Sequence, residues 1–317
     1  MEHGFKNRIL VTGGAGFIGS TLVDKLIENP DNFVLVVDNL STGNIKRLPT
    51  ENKYKNWRFI KCDVNSYRDI AAILTSYQLD YVFHYAAVVG VKRTLENPVA
   101  VLNDINGFKY ILDLCKNTGV KRIFFSSSSE VYGEPFEHPQ NEMTTPLNSR
   151  LPYAVVKNVG EAFLKSYKQE FNLDYTIFRF FNTYGPKQSS DFVMTRFIKA
   201  ALENKEITIY GDGSQTRTFC YRDDNVEACV RCLYEDLHIN DTVNIGSDHE
   251  ISILDLAKLI IKITNSKSEI VHLPPLKEGD MTRRRPDITK MKKLLGRPMT
   301  TLEEGIRKTI ESGQYNY

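Results

Sequence analysis

The chain has 317 residues, 41% of them hydrophobic, with 41 basic and 39 acidic side chains and a net charge of +2. That length and apolar content can bury a substantial core, in two domains or one elaborated domain. The near balance of charge argues against broad nucleic-acid binding, which needs a clustered basic surface, and no apolar run reaches the roughly 18 residues a membrane span needs.

The N-terminal stretch MEHGFKNRILVTGG has no apolar signal-peptide core between its charges and the first strand, so a cytoplasmic protein is expected. RILVTGG reads as a strand entering a turn and AGFIGSTLVDKLIEN as a helix. NFVLVVDNL, WRFIKCDV and DYVFHYAA read as the second, third and fourth strands. A helix is expected over about residues 99–117, then a fifth strand at KRIFFSSSS, a long helix over about 153–171 and a strand at DYTIFRFFN. Short apolar strands alternating with amphipathic helices predict a parallel sheet covered on both faces, doubly wound because crossovers are right-handed. After Gly185-Pro186 the loops lengthen, and EISILDLAKLIIKIT and TLEEGIRKTIES read as amphipathic helices. The expected division is 1–185 and 186–317, with the chain crossing between lobes.

Cys62, Cys115, Cys220, Cys229 and Cys232 are an odd, scattered set that suggests no disulfide framework. Cys229 and Cys232 form a CxxC. A zinc site of that type needs a second pair, which is missing, so no metal is expected and both thiols are assigned to a helix facing the core.

Gly13, Gly16 and Gly19 form a GxxGxxG that leaves an apolar strand and opens a helix. In that context glycines let the backbone approach a pyrophosphate, and the helix N-terminus offers free N–H groups and a positive dipole end. Asp38 ends the second strand about 20 residues on, where a carboxylate accepts bonds from ribose hydroxyls and repels a 2′-phosphate. Asn39 follows it, with no arginine there. This favours NAD over NADP. Asp63, after the third strand, stands either at the adenine end or as a loop cap.

Tyr153 and Lys157 stand as YAVVK, one helical turn apart and so on one face. An ammonium beside a phenol stabilises the phenolate, which can take a proton from a sugar hydroxyl while hydride leaves. The fifth strand ends in SSSSEVYG. Strand alternation puts Ser128 and Glu130 on one face and Ser129 on the other. Ser128 is expected to bond the same hydroxyl as Tyr153, and Glu130 to serve as acid/base at a neighbouring carbon. The alternatives are strand-end capping for the serines and a solvated loop carboxylate for Glu130.

These stretches, with DNLSTGN, HYAAVVGVKRTLENP, RFFNTYGPKQ, IYGDGSQTRTFCYRDD and a late RRRPD and LEEGIRKTIE, resemble the extended short-chain dehydrogenase/reductases, specifically NAD-dependent nucleotide-sugar epimerases, dehydratases and decarboxylases. The resemblance covers essentially the whole chain. It implies a Rossmann-type doubly wound sheet holding NAD, and a smaller C-terminal α/β lobe holding a UDP- or dTDP-sugar, UDP being favoured. Cofactor contacts are implied for Gly13, Gly16, Phe17, Ile18, Gly19, Asp38, Asn39, Asp63, Val64, Ala86, Asn103, Tyr153 and Lys157, with Asn103 supporting the tyrosine and lysine. Substrate contacts are implied for Arg93, Asn182, Arg217 and Arg285, the last beside Asp287. Arginine suits phosphate because its fork donates two parallel bonds.

Hexose 4,6-dehydratases of this family read Thr-Asp-Glu before VYG, whereas Ser128-Ser129-Glu130 stands here, which points away from that reaction. Simple 4-epimerases usually lack the glutamate. The Ser-x-Glu order resembles UDP-glucuronate decarboxylases and enzymes of 5,6-unsaturated UDP-N-acetylhexosamines. HYAAVVGVKRT is unlike the decarboxylase loop, and YAVVK lacks the acidic residue of its tyrosine helix. The leading expectation is oxidation at C4 of a UDP-sugar, with Glu130 moving a proton at C5. The alternatives are simple 4-epimerisation, decarboxylation of UDP-glucuronate, and a non-catalytic NAD or nucleotide-sugar sensor. A homodimer is expected through a four-helix contact. Its basis is that Val101, Ile105, Phe108, Ile111 and Leu112 on one helix, and Val156, Val159, Phe163 and Tyr167 on the other, cover more than one face.

Overall fold

The computed structural model describes residues 4–50, 53–90, 94, 96–134, 136–275 and 283–315. Its first strands are β1 (Asn7–Thr12), β2 (Asn32–Asp38), β3 (Trp57–Lys61), β4 (Tyr81–His84), β5 (Arg122–Ser128) and β6 (Asp174–Phe180). With the strand Asp241–Ile245 they form a seven-stranded parallel sheet. Its order is Asp241–Ile245, β6, β5, β4, β1, β2, β3. All seven residues of β2 are buried, as expected of a strand covered on both faces. Strand order reverses between β1 and β4, and ligands of such sheets bind at the carboxyl ends beside that switch. Thr12 pairs with His84 there, and His84 with Phe125, so β1 and β4 end level and β5 runs on past them to Ser128.

The helix Asp104–Thr118 turns Phe108, Ile111, Leu112 and Cys115 into the core at helical spacing and stops at Gly119, whose φ is 79°. The single helix expected over 99–117 is two, Pro98–Leu102 and Asp104–Thr118. They break at Asn103, whose carbonyl takes the Asn106 N–H in a three-residue turn of 3.0 Å. The long helix is Pro152–Phe171.

The chain forms two compact units, interleaved in sequence. The first is Met1–Val131, Ser149–Arg179 and Val226–Val243; the second is Tyr132–Asn148, Phe180–Asn225 and Asn244–Tyr317. In the second, Tyr184, Phe197, Ile198, Ile209, Leu256 and Ile260 centre a separate core. Its helix Ile253–Thr264 starts at Ser252, whose hydroxyl accepts the Asp255 N–H, so the leading Glu250–Ser252 of the expected helix is strand instead. Cys229 and Cys232 lie fully buried on the helix Arg222–Tyr234. Among the described residues, no helix is long and apolar enough to cross a membrane.

One buried ion pair ties the long helix to the sheet. Arg179 on β6 donates from Nε (2.9 Å) and Nη2 (2.7 Å) to the two oxygens of Glu161, and Ser127 on β5 donates to Glu161 Oε1 at 2.6 Å. The arginine and glutamate side chains are 3% and 1% exposed. Removing one partner strands the other as an unpaired buried charge, so Glu161→Ala is expected to lower stability by about 3–5 kcal/mol, read as a reduced urea midpoint. Glu161→Ala combined with Arg179→Met should recover much of that loss. A loss below about 1 kcal/mol in the single variant, the scale of a surface pair, would show that the pair is not shielded from water.

Candidate active site

The turn after β1 is built for close approach. Gly13 has φ 66°, and a Cβ there would lie 2.6 Å from the Ala86 nitrogen at the end of β4. A Cβ on Gly19 would lie 2.2 Å from the Gly13 carbonyl oxygen. The helix Phe17–Ile27 starts at Gly16 without a side-chain cap and without an acid in its first turn. Phe17 and Ile18 are half-buried.

Asp38 is 8% exposed at the end of β2. Its Oδ2 accepts the Ala15 N–H at 3.0 Å and its Oδ1 the Leu40 N–H at 2.8 Å, leaving one lone pair on each oxygen for a ligand hydroxyl. Burial pushes its carboxyl up, and those two bonds and the Arg47 guanidinium oppose the rise. Asn39 is exposed and caps the Ser41 N–H at 2.9 Å. Asp63 caps the Asn65 N–H at 2.9 Å, and Val64 is buried.

Tyr153 and Lys157 open the long helix and line one cavity with His84, Ala86, Ala87, Asp104, Phe108, Phe125 and Val156. The Ser128 hydroxyl, at the end of β5, acts on the Tyr153 phenol and favours its ionised form. Burial first, then the Glu130 carboxylate, push that phenol well above its usual range, and Ser128 opposes them. Lys157 Nζ donates to Ser126 Oγ at 3.5 Å and lies 5.7 Å from the centre of the Tyr153 ring. Burial presses the Lys157 ammonium down to about 8. Burial, then the Lys157 charge, hold His84 neutral, pressed down to about 3, with Nδ1 2.9 Å from Thr12 Oγ1.

Two details differ from the sequence reading. β5 ends at Ser128 and Ser129–Tyr132 form a 3-10 turn, so strand alternation does not set the direction of Glu130. The Glu130 N–H instead bonds back to Ser128 Oγ at 3.2 Å, which ties the two residues locally. Asn103 is exposed at the helix break, and its neighbour Asp104 lines the cavity. Asp104 was missed although the pattern held a signal: it stands one turn before Phe108, on the face that also carries Ile111 and Cys115.

In the second unit Asn182 donates to the Thr218 carbonyl at 3.1 Å. Arg217 is 9% exposed, on a strand paired with Glu250–Ser252. Glu250 takes Arg283 in a fork of 2.7 and 2.6 Å. The Arg285 Nε stands 4.0 Å from Glu250 and has no hydrogen-bond partner among the described residues. Asp287 is spent on Asn141 (3.0 Å) and Thr289. Arg93 lies outside the described residues.

A glycine-lined strand–helix turn, an acid at the end of β2 and a tyrosine–lysine pair on the helix Pro152–Phe171 are the features of an enzyme that works through a nicotinamide dinucleotide. The model of the NAD dependent epimerase/dehydratase family matches residues 9–246, and the chain belongs to that family. It is 37% identical over 314 residues to UDP-glucuronic acid decarboxylase 1 of Danio rerio, covering 96% of this chain and 72% of that protein. It is 35% identical over 320 residues to UDP-N-acetyl-alpha-D-glucosaminuronate decarboxylase of Bacillus cytotoxicus, covering 96% and 97%. The crystal structure of UDP-glucose 4-epimerase from Thermotoga maritima superposes with a TM-score of 0.89 at 35% identity, covering 96% and 97% of the two chains. NAD is the cofactor. The close approach at Gly13 and the two spare lone pairs of Asp38 fit its pyrophosphate and ribose. Asp38→Ala is expected to raise the NAD dissociation constant at least about tenfold and to narrow the preference over NADP, measured by calorimetry on apoprotein. Wild-type apoprotein preferring NADP would contradict this assignment of Asp38.

Proposed function

We propose that the protein oxidises C4 of a UDP-sugar to a 4-ketone, moves a proton at C5 through Glu130, and reduces the ketone again. A UDP-N-acetylhexosamine fits the Ser128-Ser129-Glu130 order. The observation that carries this reading is one constellation: Tyr153 and Lys157 line one cavity a single helical turn apart, and the Ser128 hydroxyl and the Glu130 charge both act on the Tyr153 phenol. Tyr153 takes the C4 hydroxyl proton, Ser128 holds that hydroxyl, and Lys157 stabilises the phenolate. NAD, when bound, supplies reversible hydride transfer at that carbon. The ketone acidifies the C5 proton, which brings it within reach of a carboxylate base. Asn182, Arg217 and Arg285 are assigned to the diphosphate; the sheltered Arg285 Nε, without a hydrogen-bond partner among the described residues, supports this.

A second reading is uronate decarboxylation, favoured by the two decarboxylase relatives. In a UDP-uronate the 4-ketone is β to the C6 carboxylate, so the same oxidation labilises carbon dioxide. UDP-glucose, UDP-N-acetylglucosamine and UDP-glucuronate, each incubated with the protein in D2O and followed by NMR, separate the readings. A hexose product with deuterium at C5 supports the first, and a pentose with release of carbon dioxide the second. Inversion at C4 without deuterium means simple epimerisation, and binding without turnover means a sensor. Glu130→Gln is expected to lower product formation about 10²- to 10⁴-fold while a 4-keto sugar and reduced-nicotinamide absorbance accumulate. Tyr153→Phe should abolish that absorbance. Turnover of Glu130→Gln within a few-fold of wild type would make Glu130 a binding residue.

The protein is also proposed to be a cytoplasmic homodimer. The five cysteines are buried and unbridged, which suits a reducing compartment. Val101, Phe108, Ile111 and Leu112 are already buried within the protomer, so the apolar surface left for a partner is narrower than the helix pattern implied. Val99 at 70% and Leu102 at 42% exposure remain, with Ile105, Val159 and Phe163 half-covered. Light scattering at micromolar concentration should give twice the 36.3 kDa chain mass, and a monomer mass would refute the dimer.

A further inference from the structure

We infer that Phe125 is a positioning residue of the Tyr153–Lys157 pair: its ring, seated in a notch opened by Gly160, gives the Lys157 ammonium an aromatic face to rest on inside the protein. This rests on the reading of Tyr153 and Lys157 given under Proposed function.

Two elements build the seat. Phe125 stands on β5 and is 3% exposed. Its neighbour Phe124 turns to the other face of the sheet and stacks on Phe83, ring centres 4.3 Å apart. Phe125 shares its own face with Ser127, and both meet the helix Pro152–Phe171, Ser127 at Glu161 and Phe125 at Gly160. A Cβ on Gly160 would lie 2.6 and 2.9 Å from two ring carbons of Phe125, so the ring fills the space a side chain would take. Gly160 comes three residues after Lys157, on the same side of the helix. Lys157 Nζ lies 4.9 Å from the centre of the Phe125 ring. Phe108, 4.8 Å away between ring centres, and His84, near parallel at 6.1 Å, close on the ring from two further elements and hold it in place.

The ring answers a need of the ammonium. Among the described residues, the hydrogen bond of Lys157 Nζ is the long one to Ser126 Oγ, 3.5 Å. The side chain is buried in a cavity whose walls include Ala86, Ala87, Phe108, Phe125 and Val156. Burial disfavours the charged form of a lysine. The negative face of an aromatic ring offsets part of that cost, and does so most where water is excluded. The titratable groups about Lys157 are Tyr153 on its own helix, neutral His84 on β4 and Asp104 on the helix Asp104–Thr118; all three line the cavity, and a change at 125 leaves them in place. A packing residue would hold only the helix, whereas a ring face also holds a charge, and the two roles separate by experiment.

The test follows Lys157 by NMR of lysine labelled with 13C at Cε in the NAD-loaded protein, its signal assigned by loss in Lys157→Arg. Ring-fluorinated phenylalanines placed at 125 drain the ring face of electron density at almost unchanged size. The Lys157 titration midpoint is expected to fall stepwise as fluorines are added. In Phe125→Leu it should fall by about one pH unit, the scale of a desolvated cation–aromatic contact. The alkaline limb of turnover should move to lower pH with it. A midpoint that does not move across the fluorine series overturns the inference, even if Phe125→Leu shifts it, because packing alone then accounts for the leucine result. The series also decides the matter if Phe125→Leu does not fold. Tyr153→Phe that still turns over substrate would remove the catalytic reading but leave the Lys157 titration readable, so the two failures are distinguishable.

Discussion

The buried fork between Glu161 and Arg179 is the interaction on which the rest of the site depends. Tyr153, Lys157 and Glu161 follow one another at single-turn spacing along the helix Pro152–Phe171, so they share a face. Fixing Glu161 against β5 and β6 therefore fixes the rotation of that helix, and with it the side of the sheet on which the phenol and ammonium stand. A neutral residue at 161 could pack there, but it would leave rotation to apolar contacts that tolerate small shifts. Bidentate hydrogen bonds do not.

Burial gives the helix its position and also works against the chemistry. It presses the ammonium of Lys157 down and pushes the phenol of Tyr153 up, both toward neutral forms. The polar groups around the cavity divide that problem. Ser128 favours the ionised phenol, Ser126 receives a bond from the ammonium, and His84 stays neutral and adds no competing positive charge. The glycines after β1 solve a different difficulty in the same region. With Gly13 held against the main chain of Tyr85 and Ala86, the turn after β1 is walled by backbone at that glycine.

What could be read from the sequence follows from how far each signal reaches along the chain. The strand–glycine–helix turn, Asp38 at a strand end and the Tyr153–Lys157 spacing are set by neighbours within a turn or a strand, and local rules found them. Glu130 was placed by strand alternation, which fails because β5 ends one residue after Ser127 and turns into a 3-10 segment. Asp104 was passed over for Asn103 because its partners, Asn65 and Val88, are remote in sequence. The interleaving of the two units has the same origin, since residues 226–243 return to the first unit through contacts that no local pattern announces. Asp287 shows the converse case: a residue beside a phosphate candidate is committed to capping its own loop.

On the proposed reading, the hydride machinery and the outcome of the reaction are separable. Ser128, Tyr153 and Lys157 make a ketone at C4 whatever stands at C5 and C6. A proton on C5 and a carboxylate on C6 are both activated by that ketone, because loss of either leaves electrons that the carbonyl can hold. The chain therefore needs no new cofactor chemistry to pass from epimerase to dehydratase to decarboxylase; it needs a different group beside C5. Glu130 is tied to Ser128 through its own backbone N–H, so the main chain that presents the carboxylate is held to the serine proposed to meet the sugar. That short tether makes the turn at Ser129–Tyr132, more than the dinucleotide half of the site, the place where this sequence commits to one reaction among its relatives' several.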